Sequence, residues 1–223
     1  NLLGRDAFQE TDIVGITVPI TKGNYLVQNI KDIPRIIKEA YFIASTGRPG
    51  PVLVDIPNDI QQQEISYDEF NKLYEKPFHL EGYNPVYEGH KGQIKTAIKM
   101  IKDSKKPLII AGAGILKGHA YDELKEFVDK TNIPVAMTLL GLGSFPANHE
   151  LALGMIGMHG TTYANYAANE ADLVIAAGMR FDDRVTGNPQ KFLPNAKIIH
   201  IDIDPAEIGK NKLIDVPIVG DLK

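Results

Sequence analysis

The chain has 223 residues, of which 43% are hydrophobic and 23% charged, and its formal net charge is −4 at pH 7. Cysteine is absent, which excludes disulfides, thiolate nucleophiles and cysteine-ligated metals, and the mild acidity argues against nucleic acid or an anionic membrane surface as a partner. No apolar run approaches the ~20 residues of a membrane span, so we expect a protein of the cytoplasm or of a plastid or mitochondrial interior. Because Asn1 begins the chain where a methionine is usual, we expect a piece of a longer protein.

The first part of the chain predicts a strand, a helix and a second strand. Residues 13–18 are a short β-branched run that leads into a polar turn. Apolar residues from Ile33 to Ala44 then recur at helical spacing behind Asp32, a candidate N-cap. Residues 52–56 predict a buried strand because they are apolar and end at a proline.

A domain boundary is predicted after this unit. From residue 58 to about residue 89 no periodicity is visible, and consecutive glutamines, scattered aromatics and prolines indicate an extended connection. We therefore divide the chain into a domain at residues 1–60, a linker at residues 61–89 and a domain at residues 90–223.

The second domain predicts repeated strand and helix units. Alternation of this kind indicates an α/β fold with a doubly wound, Rossmann-like parallel sheet. A last helix is predicted behind Asp204, Pro205 and Glu207, which fit the N-cap, N1 and N3 positions. The predicted strands are residues 107–111, 133–137, 173–177, 196–204 and 216–219.

Small and charged residues follow the carboxyl ends of these strands. In open α/β sheets ligands bind at this edge, so we expect these residues to converge on one site. Arg180 and Arg184 suggest a phosphate clamp, with a surface ion-pair loop as the alternative, and Asp202 is a candidate partner for ribose hydroxyls. An ordinary NAD site is disfavoured because Lys117 stands where the dinucleotide fingerprint has its third glycine. The residues at strand ends are Gly112, Gly114, Thr138, Gly178, Arg180, Asp202 and Asp221.

The segment from residue 154 to residue 162 leads into another predicted helix. The amides at that helix start and the side chains of Met155 and Met158 could receive a flat polar ring. His159 has no partner residues at metal-ligand spacing, so we reject a metal there and consider it either a ligand contact or an ordinary loop histidine.

Several motifs resemble the large, catalytic subunits of the acetolactate synthase (acetohydroxyacid synthase) family, which depend on thiamine diphosphate. The resemblance covers the whole chain. It implies that residues 1–60 are the end of the domain that binds the thiamine pyrimidine and that residues 90–223 are most of a central FAD-binding domain. The motifs are Asp6-Ala-Phe-Gln-Glu10, Ile20-Thr-Lys22, Thr46-Gly-Arg-Pro-Gly-Pro-Val-Leu-Val-Asp-Ile-Pro57, Gly157-Met-His-Gly-Thr161, Gly178-Met-Arg-Phe-Asp-Asp-Arg-Val-Thr-Gly187 and His200-Ile-Asp-Ile-Asp204.

The resemblance also implies specific site residues. Phe8 and Gln9 match residues that face the substrate channel, and the main ligands of thiamine diphosphate and Mg²⁺ are expected outside this chain. Ala113 replaces a family glycine, and the linker lacks an arginine that plant relatives place near the flavin. The residues that match FAD contacts are Gly112, Ala113, Gly114, Thr138, Leu139, Leu140, Met155, Gly157, Met158, His159, Gly178, Met179, Arg180, Asp182, Arg184, Val185, Asp202, Ile203 and Asp221.

The implied activity is decarboxylation of pyruvate and condensation of the hydroxyethyl unit with a second 2-keto acid, pyruvate or 2-ketobutyrate, in branched-chain amino acid synthesis. A homodimer or tetramer with a regulatory small subunit is implied as the assembly. The alternatives are a related thiamine-diphosphate-dependent decarboxylase, a pyruvate oxidase, or a nucleotide- or flavin-binding module without catalysis.

Overall fold

The computed structural model describes residues 4–223. These residues form two compact units, one that ends at Pro85 and one that comprises Val86–Lys223. Most of the segment predicted as a linker therefore belongs to the first unit. None of the helices within residues 4–223 is long and apolar enough to cross a membrane.

The first unit is a small α/β structure. Its two strands pair in parallel, with Gly23 opposite Val52 and Leu26 opposite Asp55, and the helix between them packs on both. Val27 is at the centre of its core. The elements are α1 (Ile13–Thr17), a 3₁₀ turn (Val18–Ile20), β1 (Gly23–Leu26), a 3₁₀ turn (Ile30–Asp32), α2 (Ile33–Ser45), β2 (Val52–Asp55), α3 (Asn58–Gln61) and α4 (Tyr67–Glu75).

The predicted strand, helix and strand are present, but the first strand is misplaced. Residues 13–18 are helical because the Asp12 side chain accepts a hydrogen bond from the Gly15 amide (2.8 Å) and caps α1, which outweighs the β propensity of its branched residues. The predicted polar turn instead begins β1.

The extended connection predicted after residue 57 is also wrong, because α3 and α4 lie within it. The side chain of Ser66 accepts a hydrogen bond from the Glu69 amide (3.2 Å), so a Ser-x-x-Glu start signal was present. The helix that this signal begins is short and amphipathic, and three consecutive glutamines shortly before it hide the signal.

The second unit is built on one parallel sheet of six strands in the order β5-β4-β3-β6-β7-β8, which confirms the predicted doubly wound fold. The order reverses between β3 and β6. The elements are α5 (Lys91–Asp103), β3 (Pro107–Ala111), α6 (Ala113–Lys117), α7 (Tyr121–Thr131), β4 (Val135–Met137), a 3₁₀ turn (Leu139–Gly141), β5 (Ala152–Met155), α8 (Thr162–Glu170), β6 (Leu173–Ala177), α9 (Asp183–Thr186), β7 (Lys197–Asp202) and β8 (Val216–Val219).

The sheet is covered on both faces. Every residue of β6 is buried, and its side chains alternate between two hydrophobic clusters, with Leu173 and Ile175 in one and Val174 in the other. The first cluster includes α5, α6 and α7, whereas the second includes α8 and α9. A strand that is covered on both faces is apolar at every position, and this pattern predicted the central strands from the sequence.

Two predictions for the second unit need correction. The predicted helix after Asp204 is a turn, in which the Asp204 carboxylate accepts from the Ala206 amide (3.0 Å) and the segment reaches Gly209 at φ +75° before a helix can extend. An additional strand, β5, lies where no strand was predicted, because Gly154 at φ +72° and a shift in register against β4 obscure its pattern.

Candidate functional site

The strand register brings the predicted site residues to one row. Ala111 of β3 lies opposite Ala177 of β6, and Ala177 lies opposite Ile201 of β7. The residues that follow these strands are therefore neighbours at the carboxyl edge, where the strand order reverses. The row contains Thr138, Gly112, Gly178 and Asp202.

Glycines at this edge allow two loops to cross in close contact. The Gly112 amide donates to the Ala177 carbonyl and the Gly114 amide to the Gly178 carbonyl, both at 2.9 Å. A Cβ on Gly112 would lie 2.2 Å from the Gly178 carbonyl oxygen, and one on Gly178 would lie 2.6 Å from Gly114 Cα. The crossing itself therefore requires glycine, and these two amides are occupied within the fold.

The charged segment after β6 divides into a structural part and a solvent-facing part. Asp182 caps α9, because its Oδ1 accepts from the amides of Arg184 and Val185 at 3.1 Å each. The Arg180 side chain is 49% exposed, and its guanidinium is 3.9 Å from Asp182 Oδ2. Such a long contact to an exposed carboxylate leaves the guanidinium able to bind an anion.

Apolar side chains next to this charge are exposed. Leu139 and Leu140 follow β4 and are 66% and 70% exposed, and Met158 is exposed as well, as is His159. By contrast the Met179 side chain is buried in the core, so a ligand can reach this residue only through its backbone. An exposed apolar surface beside cationic groups suits a ligand with a flat ring and an anionic part.

The loop before α8 is held by residues that the sequence analysis did not identify. Asn165 accepts from the Gly157 amide and donates to the Gly157 carbonyl, both at 3.0 Å. Thr161 caps α8 by accepting from the Ala164 amide (3.2 Å). Asn165 lies one turn into α8, and its polar character within a helix rich in alanine was the available signal.

A cavity of about 670 Å³ lies between this loop and α9. Four predicted residues line it: Gly157, Met158, Arg184 and Val185. Arg180 is not among the lining residues, so the two arginines of the predicted clamp have different surroundings. The other lining residues are Asn165, Asn169, Asp183, Thr186, Gly187, Asn188, Lys191 and Phe192.

The acidic residues that end β7 and follow β8 each accept a hydrogen bond from a nearby backbone amide. Asp202 is buried, and its Oδ1 accepts from the Asp204 amide (2.9 Å). Asp221 Oδ1 accepts from the Lys223 amide (3.1 Å). Ile203 lies next to Asp202 and is half-buried. The other carboxylate oxygen of Asp202, Oδ2, is 4.0 Å from Nε2 of the buried His200.

Phe8 and Gln9 belong to the first unit. The Phe8 side chain is 93% exposed, and Gln9 has the unusual φ of +60°. The Glu10 carboxylate closes this loop by accepting from the amides of Gly4 and Ala7, and these hydrogen bonds hold the pKa of Glu10 below its usual value. Within residues 4–223, no three acidic or histidine side chains are grouped to hold a metal ion.

The chain is similar in sequence to known proteins over its whole length. Residues 94–223 match the family described as thiamine pyrophosphate enzyme, central domain. The chain is 54% identical over 222 residues to "Acetolactate synthase large subunit" of Corynebacterium glutamicum, which covers 100% of this chain and 35% of the relative. The same name is carried by a relative from Buchnera aphidicola that is 49% identical over 223 residues, covering 100% of this chain and 38% of the relative.

A plant protein is similar to the same degree. "Acetolactate synthase, chloroplastic" of Arabidopsis thaliana is 53% identical over 227 residues, covering 100% of this chain and 32% of the relative. The chain thus spans about a third of the length of these relatives. It belongs to the thiamine pyrophosphate enzymes, and its residues 94–223 are the part that matches their central domain.

Proposed function

We propose that this chain is a segment of the large, catalytic subunit of an acetolactate synthase, which decarboxylates pyruvate and condenses the product with a second 2-keto acid in the synthesis of valine, leucine and isoleucine. The observation that carries the proposal is an identity of about half over the whole chain, which includes both compact units. A match restricted to the central domain would have supported only a nucleotide- or flavin-binding module.

The roles of the two units follow from this proposal. Thiamine diphosphate with Mg²⁺ supplies the carbon–carbon bond chemistry when it is bound, and its main ligands lie outside this chain. Phe8 and Gln9 of the first unit would contact the 2-keto acid substrate: Phe8 offers an exposed aromatic ring and Gln9 an exposed amide. The first unit would be the end of the domain that holds the thiamine pyrimidine, and residues 90–223 the flavin domain.

The second unit has features that fit FAD. Arg180 offers a partly exposed guanidinium for a phosphate, and Asp202 offers a carboxylate for a ribose hydroxyl in the adjacent row position. Leu139 and Met158 offer exposed apolar surface for the ring system. Condensation of two 2-keto acids transfers no net electrons, so the flavin would stabilise the arrangement of the domain and would not take part in net redox chemistry.

Variants of Arg180 test the flavin site through binding, without an activity assay. In the full-length enzyme, Arg180→Ala should weaken FAD binding by about ten- to a hundredfold, because it removes a charge-assisted contact worth roughly 1.5 to 3 kcal/mol. Arg180→Lys should recover only part of the affinity, since an ammonium cannot make a two-pronged contact. Asp202→Asn should cost less, because an amide oxygen still accepts from a hydroxyl. FAD affinity is measured by quenching of flavin fluorescence.

Lys197→Ala is the matched control, because this exposed cation lies at the opposite, amino end of β7. It should leave FAD affinity unchanged. If Arg180→Ala binds FAD as tightly as this control, the assignment of the flavin site fails.

The products of pyruvate turnover separate the candidate activities. Acetolactate formed by the full-length enzyme supports a synthase, whereas free acetaldehyde indicates a decarboxylase, and reduction of an added electron acceptor indicates a pyruvate oxidase. A flavin analogue that cannot pass single electrons should support acetolactate formation if the flavin has no net redox role. Loss of condensation with that analogue bound would contradict this role.

The proposed assembly is a homodimer or tetramer with a regulatory small subunit, consistent with the words "large subunit" in the names of the relatives. The proposed location is the cytoplasm, or a plastid or mitochondrial interior in a eukaryote; the Arabidopsis relative is named chloroplastic. Co-purification with the small subunit and the size of the purified complex test the assembly.

A further inference from the structure

The backbone on both sides of Arg180 is held by two side chains from elsewhere in the second unit. We call residues 178–182 the Arg180 loop. The Met179 carbonyl, just before Arg180, is 2.9 Å from Nε2 of His200. The Phe181 carbonyl, just after Arg180, accepts from Nδ2 of Asn211, also at 2.9 Å. The peptide group directly before Arg180 and the one directly after Phe181 are therefore fixed by hydrogen bonds.

His200 is in an unusual position for a polar side chain. It lies within β7, is 0% exposed, and packs edge-on against the Phe181 ring at a centroid distance of 5.2 Å. Because the Met179 carbonyl can only accept, Nε2 carries the hydrogen. Nδ1 has no hydrogen-bond partner among residues 4–223. A buried polar atom without a partner costs stability, so an aliphatic side chain would pack here at lower cost.

The charge state of His200 is consistent with this arrangement. Burial lowers its pKa, while the hydrogen bond to Met179 and the carboxylates of Asp202 and Glu207 act in the opposite direction. The nearer Asp202 oxygen is 4.0 Å from Nε2. The ring is therefore neutral near pH 7, and it acts as a single, directed hydrogen-bond donor.

We propose that His200 is a positioning residue for the anion contact made by Arg180, with Asn211 as a second anchor. By fixing the carbonyls before and after Arg180, the two side chains preorganise the loop so that the guanidinium is in place before the ligand binds. This inference rests on the proposed binding of FAD at Arg180. It assigns a role to two residues that do not themselves contact the ligand.

A pair of variants at His200 separates the donor from the packing. His200→Gln keeps a donor nitrogen at the position of Nε2, whereas His200→Met has a similar length and volume without a donor. In the full-length enzyme, we expect His200→Gln to bind FAD within about twofold of the parent and His200→Met to bind about tenfold more weakly, because the loop loses its anchor. Equal affinity for the two variants, whether high or low, would overturn the proposal.

A double-mutant cycle distinguishes positioning from a general loss of structure. If His200 acts through Arg180, His200→Met should have no further effect on FAD affinity in an Arg180→Ala background. An equal tenfold loss in both backgrounds would show a merely structural effect and would refute the inference. Unchanged affinity of Arg180→Ala alone would instead refute the proposed flavin site.

Asn211→Ala provides an independent test, because Asn211 is exposed and its truncation leaves the core intact. We expect it to weaken FAD binding by about three- to tenfold in the parent enzyme and to have no effect when Arg180 is alanine. This variant decides the question if His200→Met fails to fold. Parental FAD affinity of Asn211→Ala would then count against the proposal.

Discussion

Substitution of Gly178 by alanine should destabilise the second unit more than any ordinary glycine replacement in a turn. Gly178 has φ +58°, and an added Cβ would lie 2.6 Å from both Gly114 Cα and Leu222 Cδ1. The left-handed conformation costs an alanine about 1 to 2 kcal/mol. Displacement of the tightly packed neighbours adds about 1 to 3 kcal/mol. We therefore expect Gly178→Ala to lower the free energy of unfolding by roughly 2 to 5 kcal/mol.

Two matched variants separate the backbone term from the contact term. Gly209 also has a positive φ, +75°, but no heavy atom lies within 4 Å of its added Cβ, so Gly209→Ala should cost only about 1 to 2 kcal/mol. Gly112 has φ −107° but an added Cβ 2.2 Å from the Gly178 carbonyl oxygen, so Gly112→Ala reports the contact alone. The smaller entropy of an unfolded alanine chain, about 0.4 to 1 kcal/mol, is common to all three and cancels.

The measurement is urea unfolding followed by circular dichroism, with the midpoint and the slope compared between variants. The expected order of destabilisation places Gly178→Ala above Gly209→Ala, with similar slopes. If these two variants lose the same free energy, the loops after β3 and β6 do not cross as closely as the structure indicates. That result would also remove the physical reason for the glycines at this edge.

Three further predictions concern charge and capping. The pKa of His200 is lower in the folded protein than in the unfolded chain, where it is about 6.5. The free energy of unfolding should therefore be highest above pH 6.5 and should decrease as the pH falls below 6.5 and the unfolded chain binds a proton at this histidine. His200→Gln should reduce this decrease, measured as the free energy of unfolding against pH. The Asp172 carboxylate accepts hydrogen bonds from the Lys105 and Lys106 amides (2.7 and 2.9 Å), and these bonds lower the pKa of Asp172 although burial acts in the opposite direction. Asp172→Asn should therefore lower the free energy of unfolding at pH 7 by about 1 to 2 kcal/mol, measured by urea unfolding. Asp182→Ala should cost about 0.5 to 2 kcal/mol in the same assay by removing the α9 cap, whereas Asp182→Asn should retain most of the stability; equal losses for the alanine and asparagine variants would contradict the capping role.

Much of the second unit was predictable from local patterns. The apolar runs of β3, β6 and β7 are buried on both faces, so their identity as central parallel strands follows from composition alone. From their order, the convergence of residues at the carboxyl edge follows without coordinates. The helix that follows the segment at residues 154–162 was also predicted, and it is α8 (Thr162–Glu170).

Local sequence patterns did not predict the secondary structure correctly where a side-chain cap or an irregular edge strand determines it. Asp12 converts a β-branched run into a helix through a single cap, and Gly154 conceals an edge strand by its positive φ and the shifted register. A single cap contributes about 1 kcal/mol, which is comparable with the differences in strand propensity that sequence analysis relies on.

The amino-acid sequence by itself determined the fold class of the second unit, the family resemblance and the row of strand ends at which a site belongs. The tertiary structure decided what each residue in that row does. It showed that Gly112 serves the crossing of two loops, that Asp182 is a helix cap, and that the Arg180 loop is held by His200 and Asn211. These roles depend on contacts between residues that are distant along the chain, and no local pattern encodes such contacts.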